Sequence, residues 1–324
     1  MSYKQVFLIL LLLLVLTNII QVSSNTTKPG VTIVVTISSL LPDIKQIICS
    51  SDTLEAIVPP GVDPHDYELK PSDIELLRKA NVIISTAHTP FENKIRVLVE
   101  KGELSAVLIE IPYINGVHIL ENPVTHKPNY HMVIYDPWNY KLFIQEVEKI
   151  LASLNPACSA EYHDKLRQVL GQVDNIIANA PRLNIKGLAV SPLAQYAVSW
   201  MGINIEYLII REHGAPVDPQ DLVNIEERAR SGDIGIVILV EGISEAANNK
   251  ALEIAKNNGI PYIIIPSPIK QESIPDKLSQ IISEISSLEI THTDYQKNNY
   301  LLYASIALLL VLVVVVVFVL LKKQ

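Results

Sequence analysis

The sequence predicts an α/β protein of two four-stranded parallel βα lobes joined by one long rigid helix, with a transmembrane helix at its C-terminus. Three observations predict it. Short β-branched runs alternate with helix-like stretches in two separate series, the pattern of parallel sheets covered by helices. Between the series runs one long helical periodicity. Residues 300–321 carry no charge at all.

The first series occupies residues 25–154. Strands are expected at 31–38 (VTIVVTIS), 55–58, 81–86 and 105–109, and helices at 41–49, 91–101 and 138–154. A helix opening at Pro71 has a capping-box pattern, with Ser72 as N-cap and Glu75 three residues on. Asn155 and Pro156 then start the connecting helix, 155–181, an asparagine cap followed by proline at the first helical position. Its apolar positions run Tyr162, Leu166, Val169, Leu170, Val173, Ile176 and Ile177. The second series, 182–287, has strands at 187–190, 205–210, 234–240 and 261–265, with helices beginning near Pro192, Pro219, Ser244 and Ile274.

Both ends read as export signals. Lys4 precedes the apolar run 6–16 and a small, polar segment to Ser24, the layout of a signal peptide over 1–24, with a retained signal anchor as the competing reading. Residues 288–299 (LEITHTDYQKNN) form a polar stalk. Residues 300–321 are long enough to span a hydrocarbon core, and the tail 322–324 begins with Lys322 and Lys323, which mark the cytoplasmic side. The expected location is therefore the cell membrane, single-pass, with the body outside the cytoplasm. The body has room for two cores of ordinary size. A net charge of −8 argues against a nucleic-acid partner. Cys49 and Cys158 are the two cysteines; in an oxidising compartment they pair or remain buried thiols, and spacing leaves both open.

All eight histidines lie between the two end segments. His65, His88 and His213 each follow an expected strand, and His131 lies in the long segment after the fourth. Loops beyond the carboxyl ends of parallel strands are where open α/β sheets place ligands. Imidazoles gathered there suit Zn²⁺ and related ions. His163 and His292 read as solvated side chains, while His118 and His126 could form a mobile metal-gathering arm. The loop 59–68 holds three prolines around His65, and Asp66, Glu68 and, near His131, Asp136 are the carboxylates expected to orient the rings.

The segment PPGVDPHDYELKPSD, residues 59–73, closely resembles the first metal-ligand motif of the zinc/manganese substrate-binding proteins of ABC importers, the ZnuA/TroA-like family. The layout over about 31–287 is similar as well. The resemblance implies an interlobe cleft that traps one divalent ion, Zn²⁺ or alternatively Mn²⁺, and a handover to an ABC transporter permease. It also implies limited tilting about the single helix. His65 falls on the first ligand position. Tyr130-His131-Met132-Val133-Ile134-Tyr135-Asp136-Pro137 resembles the second motif, with His131 one residue too far from Asp-Pro, so that either a bulge or Met132 fills the slot. The third and fourth positions fall on Ser191 and Ser267, which are poor zinc ligands. His88 is the expected third nitrogen, with Glu212 or His213 as the fourth ligand and Glu241 as a further acidic candidate. No nucleophile–base pair and no phosphate-binding glycine loop appears, so the chain reads as a binding protein and not an enzyme. The alternatives are a zinc hydrolase using Glu68 or Glu92 as general base, or an adhesin-like receptor on the same fold.

Overall fold

The computed structural model describes Tyr3 and residues 30–212 and 215–288. The rest of the expected signal segment, the stalk beyond Leu288, the apolar run 300–321 and the tail lie outside the described residues. Among the described residues no helix is long and apolar enough to cross a membrane.

The chain enters on β1 (Thr32–Ile37), buried from its second residue onward, as a strand covered on both faces must be. It continues through α1 (Leu41–Lys45), β2 (Thr53–Val58), α2 (Pro71–Lys79), β3 (Val82–Ser85), α3 (Pro90–Glu100) and β4 (Val107–Glu110). These strands are parallel, in the order β2-β1-β3-β4. A long irregular segment leads to α4 (Pro137–Leu154) and α5 (Ser159–Asn179). The second series comprises β5 (Ile185–Ala189), α6 (Ala194–Val198), β6 (Ile203–Leu208), the small antiparallel pair β7 (Ile210–Glu212) and β8 (Ala215–Pro216), α7 (Pro219–Arg230), β9 (Ile236–Val240), α8 (Glu245–Asn258), β10 (Tyr262–Ile265) and α9 (Ile274–Ser287). Its parallel order is β10-β9-β5-β6. Each sheet therefore has its first strand inside, its second on one side and its third on the other. The connections reverse between the first and third strands, β1/β3 and β5/β9, and that reversal opens a crevice at the carboxyl ends.

Three local expectations are corrected. The cap of α2 lies at Lys70, whose N–H donates to Asp73 Oδ2 at 2.8 Å, because Pro71, without an N–H, takes the first helical position. Ser72 and Glu75 are thus inside the helix. The helix expected over 41–49 ends at Lys45. Asn155 and Pro156 open a 3₁₀ turn (Pro156–Cys158), and the α-helix of the connection begins only at Ser159. Its 21 residues give a rod of about 32 Å.

The apolar core does not divide at the boundary between the series. One continuous cluster runs from Val34 and Phe143 through Val173 to Ile205, Ile238 and Leu278, and a smaller one, with Val237, Leu239 and Ile254, lies on the other face of the second sheet. The strict alternation of β9 divides its residues between the two clusters. Polar contacts join the lobes too: Tyr135 Oη donates to the Pro266 carbonyl at 2.8 Å, and Asp43 Oδ1 accepts from Tyr140 Oη at 2.9 Å and the Ile274 N–H at 2.8 Å. Cys49 and Cys158 form a disulfide that ties the loop after α1 to the start of α5.

Candidate metal centre

A cleft of about 410 Å³ opens where the carboxyl ends of the two sheets face each other. Asp63, His65, His88, His131 and Met132 line it from the first lobe; Ser191, Ile210, Gly242, Ser244 and Ser267 line it from the second. The three imidazoles converge. Ring centroids lie 5.0 Å apart for His65–His88, 5.2 Å for His88–His131 and 6.0 Å for His65–His131. One ring nitrogen of each falls within 4.8 Å of the others. A zinc ion holding nitrogens at ~2.0–2.1 Å needs only a modest contraction of that triangle.

Each ring is oriented by an oxygen two residues before it. Asp63 Oδ1 meets the His65 N–H at 2.9 Å and Nδ1 at 3.0 Å; Asn129 Oδ1 meets the His131 N–H at 3.0 Å and Nδ1 at 2.9 Å; Thr86 Oγ1 lies 3.1 Å from His88 Nδ1. The network fixes the tautomers. A carboxylate can only accept, so His65 donates from Nδ1. Asn129 uses its NH₂ on the Pro192 carbonyl at 3.0 Å and on Gln195 Oε1 at 2.8 Å, so its other atom is the carbonyl oxygen and His131 donates to it. Thr86 spends its single hydroxyl hydrogen on Glu92, 2.8 Å from both carboxylate oxygens, and must accept from His88. When a ring is neutral, its lone pair is therefore on Nε2, the atom that would bind a metal.

Glu92 underpins the His88 loop. At 1% exposure it accepts from the hydroxyls of Thr36, Ser85, Thr86 and Thr89 and from the backbone N–H groups of Thr86, His88 and Thr89. Burial pushes its carboxyl up, but the charge of His88 and the hydroxyl donors outweigh this and hold it below the usual carboxylate range. Backbone strain concentrates at the same place. Ala87, just before His88, and Met132, just after His131, have φ of 58° and 50°, the left-handed region that side chains other than glycine disfavour. The left-handed turn at Met132 takes up the extra residue between His131 and Asp136-Pro137, so His131 and not the thioether joins the cluster. Gly61, φ 78°, turns the chain into the His65 loop.

Other expected residues fall elsewhere. Asp66 and Glu68 are exposed, with no hydrogen bond to His65, because the 3₁₀ turn Pro64–Asp66 aims Asp63 at the ring instead. Asp136 caps α4, accepting from the N–H groups of Trp138 and Asn139, and burial raises its pKa. Glu212 does not line the cleft; it accepts from Thr125 Oγ1 at 3.4 Å. Glu241 is bound to Lys270 at 3.3 Å. Ser191 and Ser267 do line the cleft. His213 lies outside the described residues. Glu92, saturated with donors, cannot serve as general base, and exposed Glu68 is not in the cleft. The loop bearing His118 and His126 is tied to the second lobe: Leu120 N–H donates to Tyr196 Oη at 2.8 Å, and Asn122 Nδ2 to the Arg211 carbonyl at 2.8 Å. A second cluster, Cys49, Cys158 and Glu161, is the disulfide with a neighbouring carboxylate and has no thiolate to offer. Sequence reasoning missed Asp63, Thr86 and Asn129. Their common spacing, an Asx or hydroxyl residue two before a histidine, is the signal that could have found them.

Residues 33–287 match the family described as zinc-uptake complex component A, periplasmic (ZnuA). A Thermotoga maritima protein described as metal-binding is 26% identical over 182 residues, 55% of this chain and 58% of that protein. The match thus spans little more than half of that relative's length. A Chlamydia muridarum protein described in the same terms is 24% identical over 228 residues, covering 67% of this chain and 78% of its own. Among solved structures, the substrate-binding protein FpvC of Pseudomonas aeruginosa with Mn²⁺ superposes with a TM-score of 0.65 at 16% identity, over 79% of this chain and 97% of that one. ZnuA superposes at 0.63 with 20% identity, and the periplasmic zinc-binding protein TroA of Treponema pallidum at 0.63 with 16%; each covers 79% of this chain and 98% of its own. These likenesses establish the fold.

Proposed function

Since the chain belongs to the family of the periplasmic zinc-uptake component ZnuA, we propose that it captures one Zn²⁺ outside the cytoplasm and delivers it to an ABC permease. Members of this family carry metal rather than transform a substrate, so the chain is a binding protein and not an enzyme. The convergence of His65, His88 and His131, each with its lone pair on Nε2, carries the reading. Three neutral nitrogen donors favour Zn²⁺ over Mn²⁺, which prefers oxygen. FpvC with Mn²⁺ or with Ni²⁺, and the zinc-binding protein TroA, show that such a fold accommodates more than one ion. The fourth ligand comes from the second lobe. His213 is our assignment, since it directly follows β7, whose Ile210 lines the cleft. A core shared by both lobes supports the expectation that loading brings small, local rearrangement.

Metal-stripped full chain should take up one zinc per molecule in competition with a chromophoric chelator. His65→Ala, His88→Ala and His131→Ala should each weaken it by more than ~100-fold, as loss of a direct ligand exceeds the 10–100-fold cost of losing an orienting partner. Unchanged affinity in any two of them would refute the site.

The body is further proposed to be tethered by residues 300–321, with Lys322 and Lys323 on the cytoplasmic side. A stalk of residues 288–299 reaches at most ~40 Å when extended, keeping the cleft near a permease in the same membrane. Extraction of the chain from membranes by alkaline carbonate would contradict the tether.

A further inference from the structure

One of the three ring-orienting residues also reaches into the second lobe. Asn129 is 2% exposed, and its amide is fully used. Oδ1 accepts from the His131 N–H and from His131 Nδ1–H. Nδ2 donates to the Pro192 carbonyl and Gln195 Oε1, both in the second lobe. The neighbouring chain repeats the crossing: Tyr196 Oη donates to the Asn129 carbonyl at 2.6 Å, and Gln195 Nε2 donates to the Glu121 carbonyl at 2.8 Å.

Resting on the zinc-carrier reading above, the geometry points to Asn129 as the positioning residue that couples metal occupancy at His131 to the contact between the lobes. Its first effect is to hold the ring as the Nδ1–H tautomer, which presents Nε2 to the ion. Its second follows from polarisation. A cation on Nε2 makes Nδ1–H a stronger donor, and an amide whose oxygen accepts a stronger bond becomes a stronger donor at its nitrogen. The gain is passed to Pro192 and Gln195. Loading therefore tightens the lobe contact without a large movement. The coupling is reciprocal: the factor by which zinc strengthens the contact is the factor by which the contact strengthens zinc binding.

The test uses the full chain and zinc alone, with two variants. Asn129→Asp keeps an acceptor for His131 but sets a carboxylate against the Pro192 carbonyl, which cannot turn to donate. Asn129→Ala removes both sides. Two quantities are read: zinc affinity by chelator competition, and exchange of the Leu120 amide hydrogen, which is bonded across the lobes to Tyr196 Oη. In the parent, zinc should slow Leu120 exchange. Asn129→Ala should lose ~10–100-fold in zinc affinity, the usual cost of removing a ligand's orienting partner. Asn129→Asp should still bind one zinc, yet zinc should no longer slow Leu120 exchange. That split is one a merely structural residue would not produce. Parental affinity in Asn129→Ala, or zinc-dependent slowing retained in Asn129→Asp or absent from zinc-binding parent, would overturn the proposal. Failure of the parent itself to bind zinc would instead strike the carrier reading.

Discussion

Replacing Glu92 by glutamine changes one atom in the buried cluster behind His88, and its cost can be worked from the contacts. Oε1 accepts from Thr36 Oγ1 at 2.6 Å, Ser85 Oγ at 3.1 Å, and Thr86 N and Oγ1 at 2.7 and 2.8 Å. Oε2 accepts from Thr86 Oγ1, Thr89 Oγ1 and the N–H groups of His88 and Thr89. Hydroxyls can rotate to accept from an amide NH₂, but backbone N–H groups cannot. The better glutamine rotamer faces its NH₂ to one N–H, that of Thr86; the other rotamer faces it to two. One buried N–H is then orphaned, at ~1–3 kcal/mol, and charge-assisted bonds worth ~1.5–3 kcal/mol each become neutral. The sum is about 3–5 kcal/mol, or a fall of roughly 6–20 °C in Tm for a body of this size. Zinc affinity should fall with it, because Thr86 no longer holds His88. The acid response gives the sign. A carboxyl held below its unfolded value stabilises the fold above that value, and the contribution is lost as pH falls through the folded one. Glu92→Gln should therefore lose less stability between pH 5 and 3 than the parent does. Thermal melts by circular dichroism across that range, with zinc titrations alongside, would decide. A Tm within about 2 °C of the parent, less than ~1 kcal/mol, would refute the donor accounting.

The disulfide and the interlobe carboxylate give two further expectations. Cys49 and Cys158 close a loop of 109 residues, so Cys49→Ser with Cys158→Ser should cost ~4–5 kcal/mol by loop-closure entropy; denaturant melts of the double variant showing under ~1 kcal/mol would contradict this. Burial pushes the Asp43 carboxyl up to about 7, and pushes Lys277 down to about 8. The folded state thus keeps a proton on Asp43 that the unfolded chain releases near 3.8, and stability present below that pH is lost as pH rises towards 7. Lys277 acts in the opposite sense, with stability recovering from about pH 8 towards 10.5. Asp43→Asn, which can still accept from Tyr140 and Ile274, should flatten the slope between pH 4 and 7; an unchanged slope in pH-dependent melts would show that Asp43 is not its source.

The architecture was legible because its signals are local. Runs such as TIVVTI, the helix starts at Pro71 and Pro219, and the motif around His65 depend on neighbours within a few positions. Even so, propensity could not decide between Ser72 and Lys70 as the cap of α2, since a proline overrides a good capping residue beside it. Nor could it divide the core, because an apolar residue on an amphipathic helix does not say which sheet it meets. Residues 205–210 read as one strand but split at Ile209 between the second sheet and the β7–β8 pair.

The candidate site separates the two kinds of information more sharply. By itself the sequence determined that histidines would stand beyond the carboxyl ends of strands, because the βα alternation fixes which loops lie there. It also carried the resemblance of the His65 loop, residues 59–73, to a metal-ligand motif. Only the tertiary structure decided that His65, His88 and His131 meet while Glu212 points to Thr125, that Cys49 finds Cys158, and that Met132 absorbs a residue by turning left-handed. The physical reason is range. Imidazoles separated by up to 66 residues are brought within 4.8 Å by strand order and packing, which no local pattern encodes. The oxygens that set each ring's tautomer are chosen by side-chain direction in the folded loops.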